Sequence, residues 1–271
     1  MTDRPAVYDP AYADQYRDPG IVAAYHLRPP YPPALFTFLM SLITDAPRRV
    51  LDVGRGQGEI ARYLAPLSDQ VDAVDQSAPM IATGKQLPGG DHSHIRWIVG
   101  RLEEVTLPSP YALITAAASL HWMDWDVVMP RLRAALSPNG YLALISPVEV
   151  PAPWKEGMVR LRDHFTTDAV TVGAPLLGIN GLGNAPLITE LTRRGRFAQH
   201  GEYYTDPIRF TQSVDDYVAS WHARRGCSHE RMGAERAAAF DAAVRELVMP
   251  YCTDGNVHLQ IVGEVVWGVP Q

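Results

Sequence analysis

Short apolar runs alternate with stretches of helical spacing through the first 145 residues. Arg49-Val50-Leu51-Asp52-Val53 predicts a buried strand halted by glycines. Glu59 to Leu67 predicts a helix. Gln70 to Asp75 predicts a strand that ends on an acid, and Ala78 to Gln86 a helix. Ile95 to Val99 and Tyr111 to Ala116 predict two more strands. Val127 to Leu136 predicts a helix, Ser137-Pro138-Asn139-Gly140 a turn, and Tyr141 to Ile145 a strand. Strands alternating with helices imply parallel βαβ units, with ligands outside the strand C-termini.

After Pro147 the alternation ceases. Residues 154–170 predict a helix, and Gly173 to Gly183 a glycine-rich loop. Gly195 to Phe210 is strand-like. Ser213 to Arg225 and Glu230 to Val248 are helical, and His258 to Trp267 predicts a closing strand. At the front, Arg28-Pro29-Pro30-Tyr31-Pro32-Pro33 excludes helix interior and predicts a rigid extended link. Pro32-Pro33 then opens a helix from Ala34 to Ile43. Upstream, Tyr8, Tyr12, Tyr16 and Tyr25 mark a helical or partly ordered arm.

Composition narrows the function class. The chain has 271 residues, 46% hydrophobic and 20% charged. That is too apolar for a disordered chain and too interrupted for a membrane protein. The N-terminal residues are polar and tyrosine-rich, so no secretory signal is expected. Cys227 and Cys252 form neither a disulfide framework nor a zinc site, and read as free thiols in a reducing cytoplasm. The net charge of −6 gives no electrostatic reason to bind nucleic acid. A small-molecule partner is expected, with no nucleic acid and no membrane.

The most specific motif is Asp52-Val53-Gly54-Arg55-Gly56-Gln57-Gly58, between a strand and a helix. Three glycines admit close backbone approach to a ligand. The helix start offers N–H groups and a positive dipole end. A dinucleotide fingerprint needs glycine at position 59, which is Glu59, and a P-loop needs a Gly-Lys-Ser/Thr that is absent. Asp75 lies 75 − 54 = 21 residues beyond Gly54, where a carboxylate accepts hydrogen bonds from ribose hydroxyls. The plainer alternative is that Asp75 caps the next helix.

Val50-Leu51-Asp52-Val53-Gly54-x-Gly56-x-Gly58, followed by Val74-Asp75-x-Ser77-x-x-Met80, resembles a class I S-adenosylmethionine-dependent methyltransferase. Val99-Gly100-x-Leu102-Glu103, Ser119-Leu120-His121-Trp122-x-Asp124 and Leu136-Ser137-Pro138-Asn139-Gly140-Tyr141-Leu142 resemble later segments of that family. The arm Tyr25-x-x-Arg28-Pro29-x-Tyr31-Pro32 is similar to that of small-molecule members near trans-aconitate methyltransferases. The resemblance covers roughly residues 8–145.

It implies an α/β, Rossmann-like, doubly wound and mostly parallel seven-stranded sheet. An inserted helical cap and an N-terminal helical arm complete the expected fold. The expected division is residues 1–45 for the arm and lid, 46–147 for the cofactor-binding core, 148–256 for the cap with a late strand, and 257–271 for the closing strand. The implied cofactor is S-adenosyl-L-methionine. Gly54, Gly56 and Gly58 would pass its methionine end. Asp75 would hold the ribose with Gln76 beside it. Met80 would pack on the adenine, and Leu102 would meet the adenine edge, with Glu103 close by. Tyr16 and Arg28 would close over it from the arm.

Three positions depart from the family pattern. Arg55 replaces a small residue. It reaches the methionine carboxylate, crowds the pocket, or points to solvent or a local ion pair, the last being expected. Arg101 replaces an acid that often meets the adenine amino group. Ala112 replaces an acid common at the start of the fourth strand.

Methyl transfer from a sulfonium needs alignment and exclusion of water, and a base where the acceptor must lose a proton. His121 is the leading candidate base or orienting group, with strand-end packing as its alternative. Arg28, with His26 nearby, is placed to bind a carboxylate of cofactor or substrate. Tyr12, Tyr16, Tyr25 and Tyr31 read as an aromatic lid. His92 and His94 lack a third ligand, so no metal is expected. Arg224, Arg225, Arg231 and Arg236 read as a solvated helical face. The expected activity is methylation of a small organic molecule on oxygen, nitrogen or carbon. The alternative is a cofactor-binding enzyme of another reaction, such as a cyclisation or isomerisation.

Overall fold

In the computed structural model, which describes residues 10–166 and 183–271, eight strands form one mixed sheet. They are β1 (Arg49–Val53), β2 (Gln70–Asp75), β3 (Ile95–Val99), β4 (Tyr111–Ala117), β5 (Leu136–Glu149), β6 (Phe197–Tyr204), β7 (Ile208–Ser213) and β8 (Asn256–Pro270). The order is β3-β2-β1-β4-β5-β8-β6, with β7 also paired to β8. β1 to β5 run parallel, and β8 is antiparallel to β5. β6 pairs with Glu264 to Pro270 of β8, and β7 with Asn256 to Ile261. β7 thus continues the outer column that β6 begins, and the sheet has seven columns.

The strands are apolar because helices cover both faces. Val50, Leu51 and Val53 are fully buried, as parallel strands between helix layers must be. One layer packs Leu35 and Leu39 of α2 (Pro33–Ser41), after the short α1 (Pro19–Ala24), with Ile60 and Leu64 of α3 (Glu59–Leu64). The other face receives Trp125, Val128 and Leu132 of α5 (Trp125–Ala135) and Leu187 and Leu191 of α7 (Ala185–Arg193). Between these, α4 (Ala78–Gln86) starts where the Ser77 hydroxyl accepts the Met80 N–H. A separate core joins α6 (Lys155–Phe165), α8 (Val214–Ser220) and α10 (Ala234–Val248) to Val257, Leu259 and Ile261 of β8.

Several expected elements change form. The turn at Ser137–Gly140 lies within β5, as a bulge. Tyr111 pairs with Leu136 and Leu113 with Tyr141, so β5 carries the extra residues. Asp45 holds the bulge through the Asn139 backbone and side-chain N–H groups. The strand-like stretch from Gly195 splits into β6 and β7. The helix from Glu230 breaks at Gly233, whose φ is +76°, into α9 (His229–Met232) and α10. Helix α7 was not anticipated, because proline-flanked Leu187, Ile188 and Leu191 show too few turns of periodicity. Tyr8, and residues 173–182 of the expected loop, lie outside the described residues. So does the stretch 167–170 of the expected helix, which ends at Phe165.

The arm stitches the sheet's C-terminal edge to the later helices. Gln57 donates to the Val22 carbonyl at 2.8 Å, and the Ser77 hydroxyl to the Tyr16 carbonyl at 2.9 Å. On its other side the Gly20 N–H donates to Glu230 at 2.7 Å, and Arg231 pairs with Asp18 at 2.7 Å. Among the described residues no helix is long and apolar enough to cross a membrane.

Candidate active site

Asp52 stands last but one on β1, directly before the glycine loop. Its Oδ1 accepts the Thr115 hydroxyl at 2.8 Å, while its Oδ2 is buried without a hydrogen-bond partner. Burial pushes its pKa up to about 6, against the Thr115 bond and Arg55. The chain then turns through three left-handed glycines, with φ of +60° at Gly54, +56° at Gly56 and +76° at Gly58. A side chain at Gly54 would lie 2.4 Å from Ser119 Cβ, and one at Gly58 2.5 Å from the Trp97 ring. At Gly56 it would meet the Tyr25 hydroxyl at 3.0 Å.

Asp75 ends β2 beside this loop. Its Oδ2 accepts the Gly56 N–H and its Oδ1 the Ser77 N–H, each at 2.8 Å. Burial raises its pKa. A carboxylate has about four acceptor sites, so two bonds leave capacity toward a ligand. Asp75 does not itself cap α4: the N-cap is Ser77, whose backbone N–H Asp75 accepts. Gln76 is half-buried, and its carbonyl accepts from Arg17 at 3.5 Å. Met80 and Leu102 are buried. Glu103 pairs with Arg101 and accepts the Asp124 N–H at 2.9 Å, joining the loops after β3 and β4.

Arg55 corrects the expectation of solvent or an ion pair. It is only 6% exposed, and its guanidinium stacks on Trp97 at 3.9 Å. It donates to the Gly56 carbonyl at 2.8 Å, while its Nε and Nη2 are buried without hydrogen-bond partners. Burial pulls its pKa down to about 10. It fills the space behind the loop.

His121 lies in a short turn, Leu120–Trp122, after β4, 4% exposed and tilted against Trp122 at 4.3 Å. Tyr16 is 6.2 Å from Trp122 and 6.3 Å from Tyr25, with Arg28 over the Tyr25 ring at 5.0 Å. Burial raises the Tyr16 and Tyr31 pKa values. His26 stays outside this group, exposed and bonded to the Ala23 carbonyl. The Tyr12 side chain lies outside what the structure describes. His94 bonds to the Ser68 carbonyl, and no group of metal-ligating side chains occurs among the described residues.

The arginine face is a second correction. Arg224 is 9% exposed, stacked on Trp221 at 4.2 Å and paired with Glu149 at 3.3 Å. Arg225 lies over Trp122 at 5.5 Å. Sequence reading missed Arg224 and Glu149. The available signal was Arg224's position beside the apolar, aromatic Trp221-His222-Ala223.

The fold is Rossmann-like. A structure assigned as a type II methyltransferase, from Anaeromyxobacter dehalogenans, superposes with a TM-score of 0.61 at 20% identity, covering 89% of this chain and 97% of that one. The cyclase SpnF superposes at 0.51 with 18% identity, covering 88% and 81%. At such identities the likeness concerns the fold alone. Residues 50–140 match the family model of a methyltransferase domain. The trans-aconitate 2-methyltransferase of Pseudomonas paraeruginosa (strain DSM 24068 / PA7) is 31% identical over 135 residues, covering 49% of this chain and 48% of that relative. The chain spans about half the length of the curated relatives it matches. Residues 50–140 thus resemble a methyltransferase domain, carried on a Rossmann-like fold.

Proposed function

We propose that this chain transfers a methyl group from S-adenosylmethionine to a small organic acceptor. One observation carries the reading: Asp75 grips a loop of three left-handed glycines that leaves no room for side chains, inside the segment that matches the family. Such a cradle, beside a carboxylate with spare acceptor capacity, fits a ligand with a ribose and a charged amino-acid end. The named trans-aconitate relatives support a small acceptor.

The cofactor supplies an electrophilic methyl on a sulfonium. Gly54, Gly56 and Gly58 would pass its amino-acid end, and Asp75 with Gln76 its ribose. Met80, Leu102 and Glu103 would flank the adenine. Tyr16 and Arg28 would close the arm over the site. Aromatic rings there exclude water and favour a positive charge. His121 would orient the acceptor or take its proton. Arg55 braces the loop from behind. The four-part division at residues 45, 147 and 256 and a cytoplasmic setting belong to the same reading.

Calorimetry with S-adenosylmethionine and S-adenosylhomocysteine tests the premise, followed by transfer of a labelled methyl to an acceptor library. Binding lost in Asp75→Ala and Gly56→Trp is the expected result. Unchanged affinity in both would place the cofactor elsewhere.

A further inference from the structure

A loop of three glycines has wide conformational freedom, and ordering it on binding costs affinity. Here Gly56 is fixed from both sides without a ligand. Its N–H donates to Asp75 Oδ2 and its carbonyl accepts from Arg55 Nη1, each at 2.8 Å. The Gly58 N–H donates to the Arg55 carbonyl at 2.9 Å and closes a four-residue turn. The φ angle is +56° at Gly56 and is not positive at Gln57, as in a type II′ turn. The middle peptide of this turn, Gly56–Gln57, takes no part in the closing bond. Something else must set which way it faces.

Arg55 sets it. Its guanidinium lies on the Trp97 ring at 3.9 Å, and Trp97 is anchored in turn, donating from Nε1 to the Gly90 carbonyl at 2.9 Å. The anchored ring holds the guanidinium, and the guanidinium holds the Gly56 carbonyl. The peptide is trans, so its N–H, which belongs to Gln57, points the opposite way. That N–H makes no hydrogen bond among the described residues, although Gln57 is only 4% exposed. A buried N–H without a partner is costly, and a ligand atom is one way to complete it. Arg55 Nε and Nη2 are likewise buried without hydrogen-bond partners, so this place does little for the arginine's own stability.

We propose that Arg55 is a positioning residue, which turns the Gln57 N–H toward the carboxylate at the amino-acid end of the cofactor. The inference rests on the methyltransferase reading above. It adds how this chain, with arginine where a small residue is the pattern, holds that end. Arg55 touches neither cofactor nor acceptor in this account. It acts through the Gly56 carbonyl, and Trp97 keeps it flat.

The test uses the full chain and two ligands that share one nucleoside. S-adenosylhomocysteine carries the amino-acid end, and 5′-methylthioadenosine lacks it. In Arg55→Met, affinity for S-adenosylhomocysteine is expected to fall about 10-fold, the worth of one hydrogen bond to a charged group, while that for 5′-methylthioadenosine stays within about 2-fold. Arg55→Lys, which can still donate to the Gly56 carbonyl, is expected to recover part of the loss. In the wild type, the Gln57 amide is expected to gain protection from hydrogen exchange with S-adenosylhomocysteine and not with 5′-methylthioadenosine. That measurement decides even where a variant folds poorly. Equal losses for both ligands in Arg55→Met would make Arg55 a general brace and overturn the proposal. So would no loss for either, a lysine variant as weak as methionine, or a Gln57 amide indifferent to the amino-acid end. S-adenosylhomocysteine failing to bind the wild type would instead sink the methyltransferase reading, and this inference with it.

Discussion

Asp75 Oδ2 and the Gly56 N–H are joined at 2.8 Å, and this bond ties the end of β2 to the loop after β1. The same carboxylate holds Ser77. Asp75→Asn keeps the shape but turns one acceptor oxygen into a donor facing N–H groups. S-adenosylhomocysteine affinity is expected to fall by about 10- to 100-fold, measured by calorimetry. An unchanged affinity would mean that the ribose is held elsewhere.

The Asp52 carboxyl, pushed up to about 6 by burial, predicts a pH-dependent stability. The folded state holds this proton more tightly than the unfolded chain. The stabilisation is complete below about pH 4 and disappears as pH rises through about 6. A rise of roughly two units corresponds to about 3 kcal/mol. Thermal melts of Asp52→Asn against wild type between pH 4 and 8 should show the gap moving in the variant's favour as pH rises. A gap independent of pH would refute the buried-carboxyl argument.

Gly58 and Gly195 separate two costs. Both are left-handed, at +76° and +63°, but an added Cβ at Gly195 meets nothing within 4 Å. Gly195→Ala should cost about 1 kcal/mol in denaturant unfolding, from backbone conformation alone. Gly58→Ala should cost visibly more, because its Cβ falls 2.5 Å from the Trp97 ring. Equal costs would show that Trp97 moves aside freely.

Arg55 is buried with two nitrogens lacking hydrogen-bond partners. Arg55→Met keeps the packing on Trp97 and removes the desolvated charge, an exchange that is often neutral or stabilising. The melting temperature should stay level or rise. A loss above about 2 kcal/mol would show that the Gly56 bond and the ring contact outweigh desolvation.

His121→Ala should leave S-adenosylhomocysteine binding intact and lower kcat by about 100-fold, the usual worth of a general base. A lowered melting temperature with near-normal turnover would assign His121 to packing against Trp122.

The half that holds the glycine loop was legible because its signals are local. Glycines, an acid at a strand end and apolar runs sit within one stretch, and β1, β2, α4 and β3 fall where the pattern put them. The cap was less legible because its logic is long-range. Nothing near Arg224 in sequence shows that Glu149, 75 residues earlier, will pair with it. The Arg55 environment was hidden likewise, since Trp97 comes from a strand 42 residues on (97 − 55). Gly233 was missed as a break because it interrupts an otherwise continuous helical pattern, and Ser137–Gly140 was read as a turn rather than a bulge because Asp45, which holds it, lies 94 residues earlier.

The length of β8 has a mutational consequence. Its later residues pair with β5 and β6, its earlier ones with β7, which runs into α8 and on toward Arg224. The later helical core thus hangs from the sheet that carries the glycine loop by a shared splint. Substitutions between β7 and β8 therefore fall in a core that the glycine loop and Asp75 do not share.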